Sequence, residues 1–119
     1  MFLTLTHVAL GGAIGAVLRY LTGLALAFPY GTLAVNVAGS FAIGILWIGL
    51  TAKGLGHWMP LLTIGVLGGF TTFSAFSLDT LRLIEDGRAP AAGLYVLASV
   101  TLSLGACALG HVITKGALG

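Results

Sequence analysis

The ten residues GGFTTFSAFS, Gly68 to Ser77, decide how this chain is read. They set two adjacent glycines, four hydroxyls and three phenylalanines inside a segment that is otherwise apolar enough to cross a bilayer. Each glycine lowers helix propensity by about 1 kcal/mol. Thr71, Thr72, Ser74 and Ser77 can bond to nearby main-chain groups and so offer the backbone an alternative to a continuous helix. The stretch therefore predicts a break near Gly68 to Thr72. In hydrocarbon, the amides and carbonyls released by a break need partners from protein, water or an ion, so such breaks line cavities. A kinked helix whose hydroxyls bond back one turn is the competing reading, and both stay open at this level. Beyond the break, Phe73 and Phe76 stand three apart and share a helix face. Aromatic ring edges carry partial positive charge, which makes anion contact possible; lipid contact or packing is the ordinary role of such residues.

Composition sets the solvent. The 119 residues are 58% hydrophobic and 7% charged, with mean hydropathy +1.11, far from a soluble domain. At about 20 residues per crossing, the chain supplies about four helices and no separate soluble unit. The expected architecture is a single all-α transmembrane domain over 1–119, with spans near 4–27, 32–52, 60–86 and 91–114 and the break in the third. Phe28-Pro29-Tyr30-Gly31 separates the first two spans. Thr32 is a candidate N-cap, Lys53-Gly54 a turn, and Pro60 and Pro90 sit at helix starts. Asp79, Arg82, Glu85 and Asp86 have helical spacings, and Gly87 offers a C-cap, which predicts a water boundary there. The opening MFLTLTHVAL has no positive charge ahead of its apolar run and reads as a retained first helix. The net charge of +2 includes no basic run, so nothing points to nucleic acid, and the lone Cys107 has no internal disulfide partner.

Four spans put Lys53 and Lys115 on one side and Arg19, Arg82 and Arg88 on the other. Two basic residues against three is too small a bias to fix an orientation. Insertion in both orientations would favour an antiparallel dimer with a self-complementary interface; a small bias without consequence is the alternative. Gly11 and Gly15, Gly12 and Ala16, and Ser40 and Gly44 are small residues at helix-packing spacing. Trp47 and Trp58 fall toward one interface, and Tyr20, Tyr30 and Tyr95 toward the other. Asn36 and Ser40 share a face of the second helix. Tyr95, Ser99 and Ser103 share a face of the fourth. A buried amide without partners costs a few kcal/mol, so Asn36 must meet protein or water. An interhelical hydrogen bond and a place on a permeation path both satisfy that demand.

With these stretches in view, the chain resembles the Fluc (CrcB) family of small fluoride channels. The resemblance rests on GGAIGAVLRY, GTLAVNVAGSFAIG, GGFTTFSAFSLDTLRL and, more loosely, YVLASVTLS, in family order and spacing. It implies an antiparallel, dual-topology homodimer in the cytoplasmic membrane of a prokaryote, with two pores that export fluoride passively and discriminate against chloride. By the same resemblance, Asn36 donates to fluoride and the edges of Phe73 and Phe76 contact it. Tyr95, Ser99 and Ser103 form a polar track, with Thr72 and Ser74 beside it. A central structural sodium ion is held by main-chain carbonyls that map to Gly68 and Thr71, and Arg19 serves the vestibule or packing. Ala75 stands where many members have threonine.

Three other readings compete. A small multidrug-type, proton-coupled transporter would by resemblance need a carboxylate deep in the first helix, and here Asp79, Glu85 and Asp86 all lie late in the third. A non-transporting membrane assembly subunit would use the glycine-rich faces alone. An enzyme is not expected, since His7, His57 and His111 suit no metal motif.

Overall fold

The computed structural model describes all residues, 1–119. Four helical passes are long and apolar enough to span a membrane. The first two are α1 (Phe2–Ala25) and α2 (Tyr30–Ala52). After a 3₁₀ turn (Gly56–Trp58), the third pass begins with a π-wound stretch (Pro60–Leu67), continues as α3 (Gly68–Phe70), breaks, and resumes as α4 (Phe73–Glu85). The fourth is α5 (Ala89–Leu118). This is the all-α, four-span architecture with an interrupted third span.

Helix ends differ from expectation by a few residues. Helix α2 starts at Tyr30, immediately after Pro29, so Thr32 lies inside the helix and caps nothing. The two tight turns use Gly54 (φ 68) and Gly87 (φ 76), a left-handed conformation that favours glycine. Helix α5 runs on to Leu118, since nothing after Lys115 breaks it.

Only 14 of the 119 residues are buried, while large apolar side chains such as Leu24, Leu94 and Leu104 face outward. That distribution suits lipid as the solvent, and the chain is a multi-pass membrane protein. Since lipid supplies no hydrophobic drive for helices to associate, backbones must approach closely to gain dispersion. A Cβ on Gly65 would lie 2.8 Å from the Gly11 Cα, and one on Gly69 would lie 2.5 Å from the Gly12 carbonyl. Leu61, Gly65 and Gly69 follow one another along this seam with α1, the first two against Gly11 and the third against Gly12.

Of the paired glycines Gly69 serves packing against α1, and both remain helical. The break falls at the two residues after Phe70. Thr71 (φ −90, ψ 156) and Thr72 (φ −155, ψ 119) are extended.

Helices α2 and α5 run parallel and pack side by side: a Cβ on Gly44 would collide with the Cys107 carbonyl, and one on Gly110 with the Phe41 carbonyl. At the far end, Leu83, Ala92 and Tyr95 form a small core with Phe28, Leu33 and Phe76 against it. Arg82 covers the Phe28 ring at 4.1 Å, which pins the α1–α2 turn to α4.

Candidate functional site

The two extended residues leave main-chain groups that a continuous helix would have paired, and side chains take up some of them. Asn36 on α2 faces the break and binds Thr72 twice. Its Oδ1 accepts from the Thr72 amide at 2.7 Å, and its Nδ2 donates to the Thr72 carbonyl at 3.0 Å. The interhelical role weighed for Asn36 is therefore present, and one Nδ2–H remains uncommitted, because an amide carries two such protons.

Thr72 then caps α4. Its Oγ1 accepts from the Ala75 amide at 3.0 Å and sits 3.2 Å from Ser74 Oγ. Thr71 Oγ1 donates back to the Leu67 carbonyl at 2.9 Å. Arg19 reaches from α1 to the last turn before the break, where Nε donates to the Gly69 carbonyl at 3.0 Å. A cation on the C-terminal carbonyls of a helix is favourable.

In an unbroken helix the Gly68 and Thr71 carbonyls would accept from the amides of Thr72 and Ala75. Both amides are spent on side-chain oxygens, Asn36 Oδ1 and Thr72 Oγ1. Gly68 and Thr71 thus present main-chain oxygens without those helical partners.

Beside the break lies an open cleft of about 480 Å³ between α2, the third pass and α5. Asn36, Thr72, Phe73, Phe76, Ser99 and Ser103 all line it, together with Gly68 and Thr71. No charged side chain does. Phe73 stands at the rim, 77% exposed, with its ring centroid 5.3 Å from that of Phe76 in an edge-to-face arrangement. Phe76 in turn lies 5.4 Å from the ring of Tyr95. The Ser99 hydroxyl is buried and has no hydrogen-bond partner.

Three expected residues sit elsewhere. Ser74 is exposed on the outer side of the cap. Arg19 lines a second, smaller recess with Thr32, Thr72 and Ala75, so Thr72 borders both spaces. Tyr95 lies behind Phe76, where its hydroxyl donates to Asp79 Oδ2 at 3.1 Å. Asp79 had been placed at the water boundary with Arg82, Glu85 and Asp86; instead it is 7% exposed. Its turn position explains the difference: Phe76, Asp79 and Leu83 follow at three and four residues and share the face that packs on α5. That spacing was available in the sequence as the signal for a carboxylate turned inward.

The sequence is similar to those of known proteins. The family model described as CrcB-like protein, Camphor Resistance (CrcB), matches residues 6–111. A protein of Ruegeria sp. named fluoride-specific ion channel FluC is 46% identical over 125 residues, covering 99% of each chain. One of the same name from Cereibacter sphaeroides is 49% identical over 122 residues and 98% of each chain. Another from Paracoccus denitrificans is 50% identical over 118 residues and 95% of each chain. At this identity and coverage, the chain belongs to the CrcB family.

Proposed function

We propose that this protein is a fluoride-selective channel which exports fluoride passively across the inner membrane, working as an antiparallel homodimer with two pores. The observation that carries the reading is the uncharged cleft at the break, lined by the Asn36 amide, an unpartnered buried hydroxyl and a pair of phenylalanine rings. The names of the relatives support the choice of ion.

Fluoride is small and holds its water tightly, so a pore must offer donors in place of the hydration shell. The free Nδ2–H of Asn36 and the Ser99 and Ser103 hydroxyls are neutral donors. The rings of Phe73 and Phe76 add partially positive edges. Asn36 serves two ends: while it holds Thr72 it is itself held, so its remaining proton has a fixed direction. Neutral donors also let the ion leave, because binding must stay weak enough for release. Thr72 fixes the start of α4 and hence the two rings. Ser74 and Tyr95 stand one layer back, Ser74 against Thr72 and Tyr95 against Phe76, and complete the polar track from behind.

The Gly68 and Thr71 carbonyls suit a hard cation, since both lack a helical donor and oxygen is the ligand such ions take. They would hold a structural sodium ion at the dimer centre, whose charge would favour anions nearby. The nearly balanced distribution of basic residues supports two-way insertion.

A proton-coupled transporter remains the second reading, because Asp79 is a buried carboxylate. It does not line the cleft, and it is engaged by Tyr95. The test is anion efflux from liposomes carrying the purified protein. Fast fluoride release with little chloride release, unaffected by a pH gradient, is expected. Equal rates for the two anions reject the channel assignment, and proton flux driven by a lipophilic cation favours the transporter.

A further inference from the structure

Hydroxyls inside helices usually turn their proton back onto the carbonyl one turn earlier. In this protein Thr63 and Thr71 on the cleft do so, at 2.7 and 2.9 Å, and Ser77 and Thr80 on α4 do so at 3.0 and 2.8 Å. Their protons are committed, and only lone pairs remain to face a ligand. Ser40, Ser99 and Ser103 make no such bond, and all three line the cleft. Ser99 is the extreme case, 6% exposed with no partner at all.

The register of α2 against α5 orders these groups. The two helices are parallel, and Gly44 sits between the Cys107 carbonyl and the His111 amide. One turn earlier on both, Ser40 falls between Ser103 and Cys107; one turn earlier again, Asn36 falls between Ser99 and Ser103, so the donors of the two helices alternate in the order Ser99, Asn36, Ser103, Ser40. The cleft therefore has walls of opposite character. The α2 and α5 walls carry alternating free donors, while on the third pass Thr63 and Thr71 carry hydroxyls whose protons are already used.

We infer that Ser40 is a further ion-coordinating residue: it extends the staggered row Ser99, Asn36 and Ser103 by one more hydroxyl donor, a turn beyond Asn36, and it takes the partly dehydrated anion there. The inference rests on the channel reading and extends it to a residue outside the aromatic pair and the α5 track. Neutral donors spaced along the cleft suit conduction, since each holds the ion loosely and hands it to the next.

The experiment compares Ser40→Ala with Thr63→Val in liposomes, with fluoride efflux read by an electrode. Both substitutions remove a hydroxyl from the same cleft at nearly constant shape, but only the first removes a free proton. Ser40→Ala is expected to slow fluoride efflux about tenfold, the size of one hydrogen bond to a charged group, while Thr63→Val stays near the wild-type rate. Equal slowing by the two, or none in Ser40→Ala, overturns the inference. If Ser40→Ala does not fold, Ser40→Cys decides, because a thiol is a weak donor of similar size; a wild-type rate in that variant overturns the inference as well. Loss of fluoride selectivity in the unmodified protein overturns the channel reading and this inference with it, whereas a selective wild type with an indifferent Ser40 overturns the inference alone.

Discussion

Replacing Asn36 with leucine keeps most of the side-chain volume and removes both bonds that hold the break. The Thr72 amide, now donated at 2.7 Å, and the Thr72 carbonyl, now accepting at 3.0 Å, lose their partners together. Each unsatisfied buried group costs about 1–3 kcal/mol, so the pair costs about 2–6 kcal/mol. The open cleft lets water reach Thr72, which points to the lower half of that range. Asn36→Asp is the sharper companion. An ionised carboxylate still accepts from the Thr72 amide but sets oxygen against the Thr72 carbonyl, whereas a protonated carboxyl regains a donor and copies the amide. Its stability should therefore rise as pH falls, while that of Asn36→Leu should respond as the wild type does. Equilibrium unfolding in mixed micelles, followed through Trp47 and Trp58, measures both. An Asn36→Leu protein within about 0.5 kcal/mol of wild type, the range of an inconsequential surface change, would refute the clamp.

Other expectations concern the ring pair, the buried carboxylate and the seam. Phe73→Ile and Phe76→Ile keep bulk without a ring edge and should slow fluoride efflux with the assembly intact; unchanged flux in both removes the aromatic role. Tyr95→Phe takes the only side-chain donor from Asp79 and should cost about 1–3 kcal/mol in the same unfolding assay. A null effect there would mean that water satisfies the carboxylate. Gly69→Ala should destabilise by about 1–3 kcal/mol through overpacking against the Gly12 carbonyl. Gly12→Ala, where a methyl meets nothing within 4 Å, should be tolerated, and the reverse order would contradict the seam.

Much of this protein can be read from GGFTTFSAFS and its flanks. Apolar length alone gives four passes, because hydrocarbon forces backbone groups into helices. Hydroxyls clustered after glycines give the interruption, because they compete locally for backbone bonds. The i+3 and i+4 spacings put Phe73 with Phe76 and Asn36 with Ser40 on common faces. Those are local properties, and one chain segment carries each of them.

What needed the tertiary structure was every pairing between segments. Nothing in α2 alone says that Asn36 spends both ends of its amide on Thr72, or that Gly69 is a contact with Gly12 and not the point of fracture. Asp79 looked like one of a charged quartet until Tyr95, on another helix, supplied its donor. That Ser40, Ser99 and Ser103 come together on one cleft likewise follows from how α2 packs on α5. Packing between helices depends on rotation and offset, which small residues permit but do not specify; only the assembled fold decides which groups meet and which are left to bind something else.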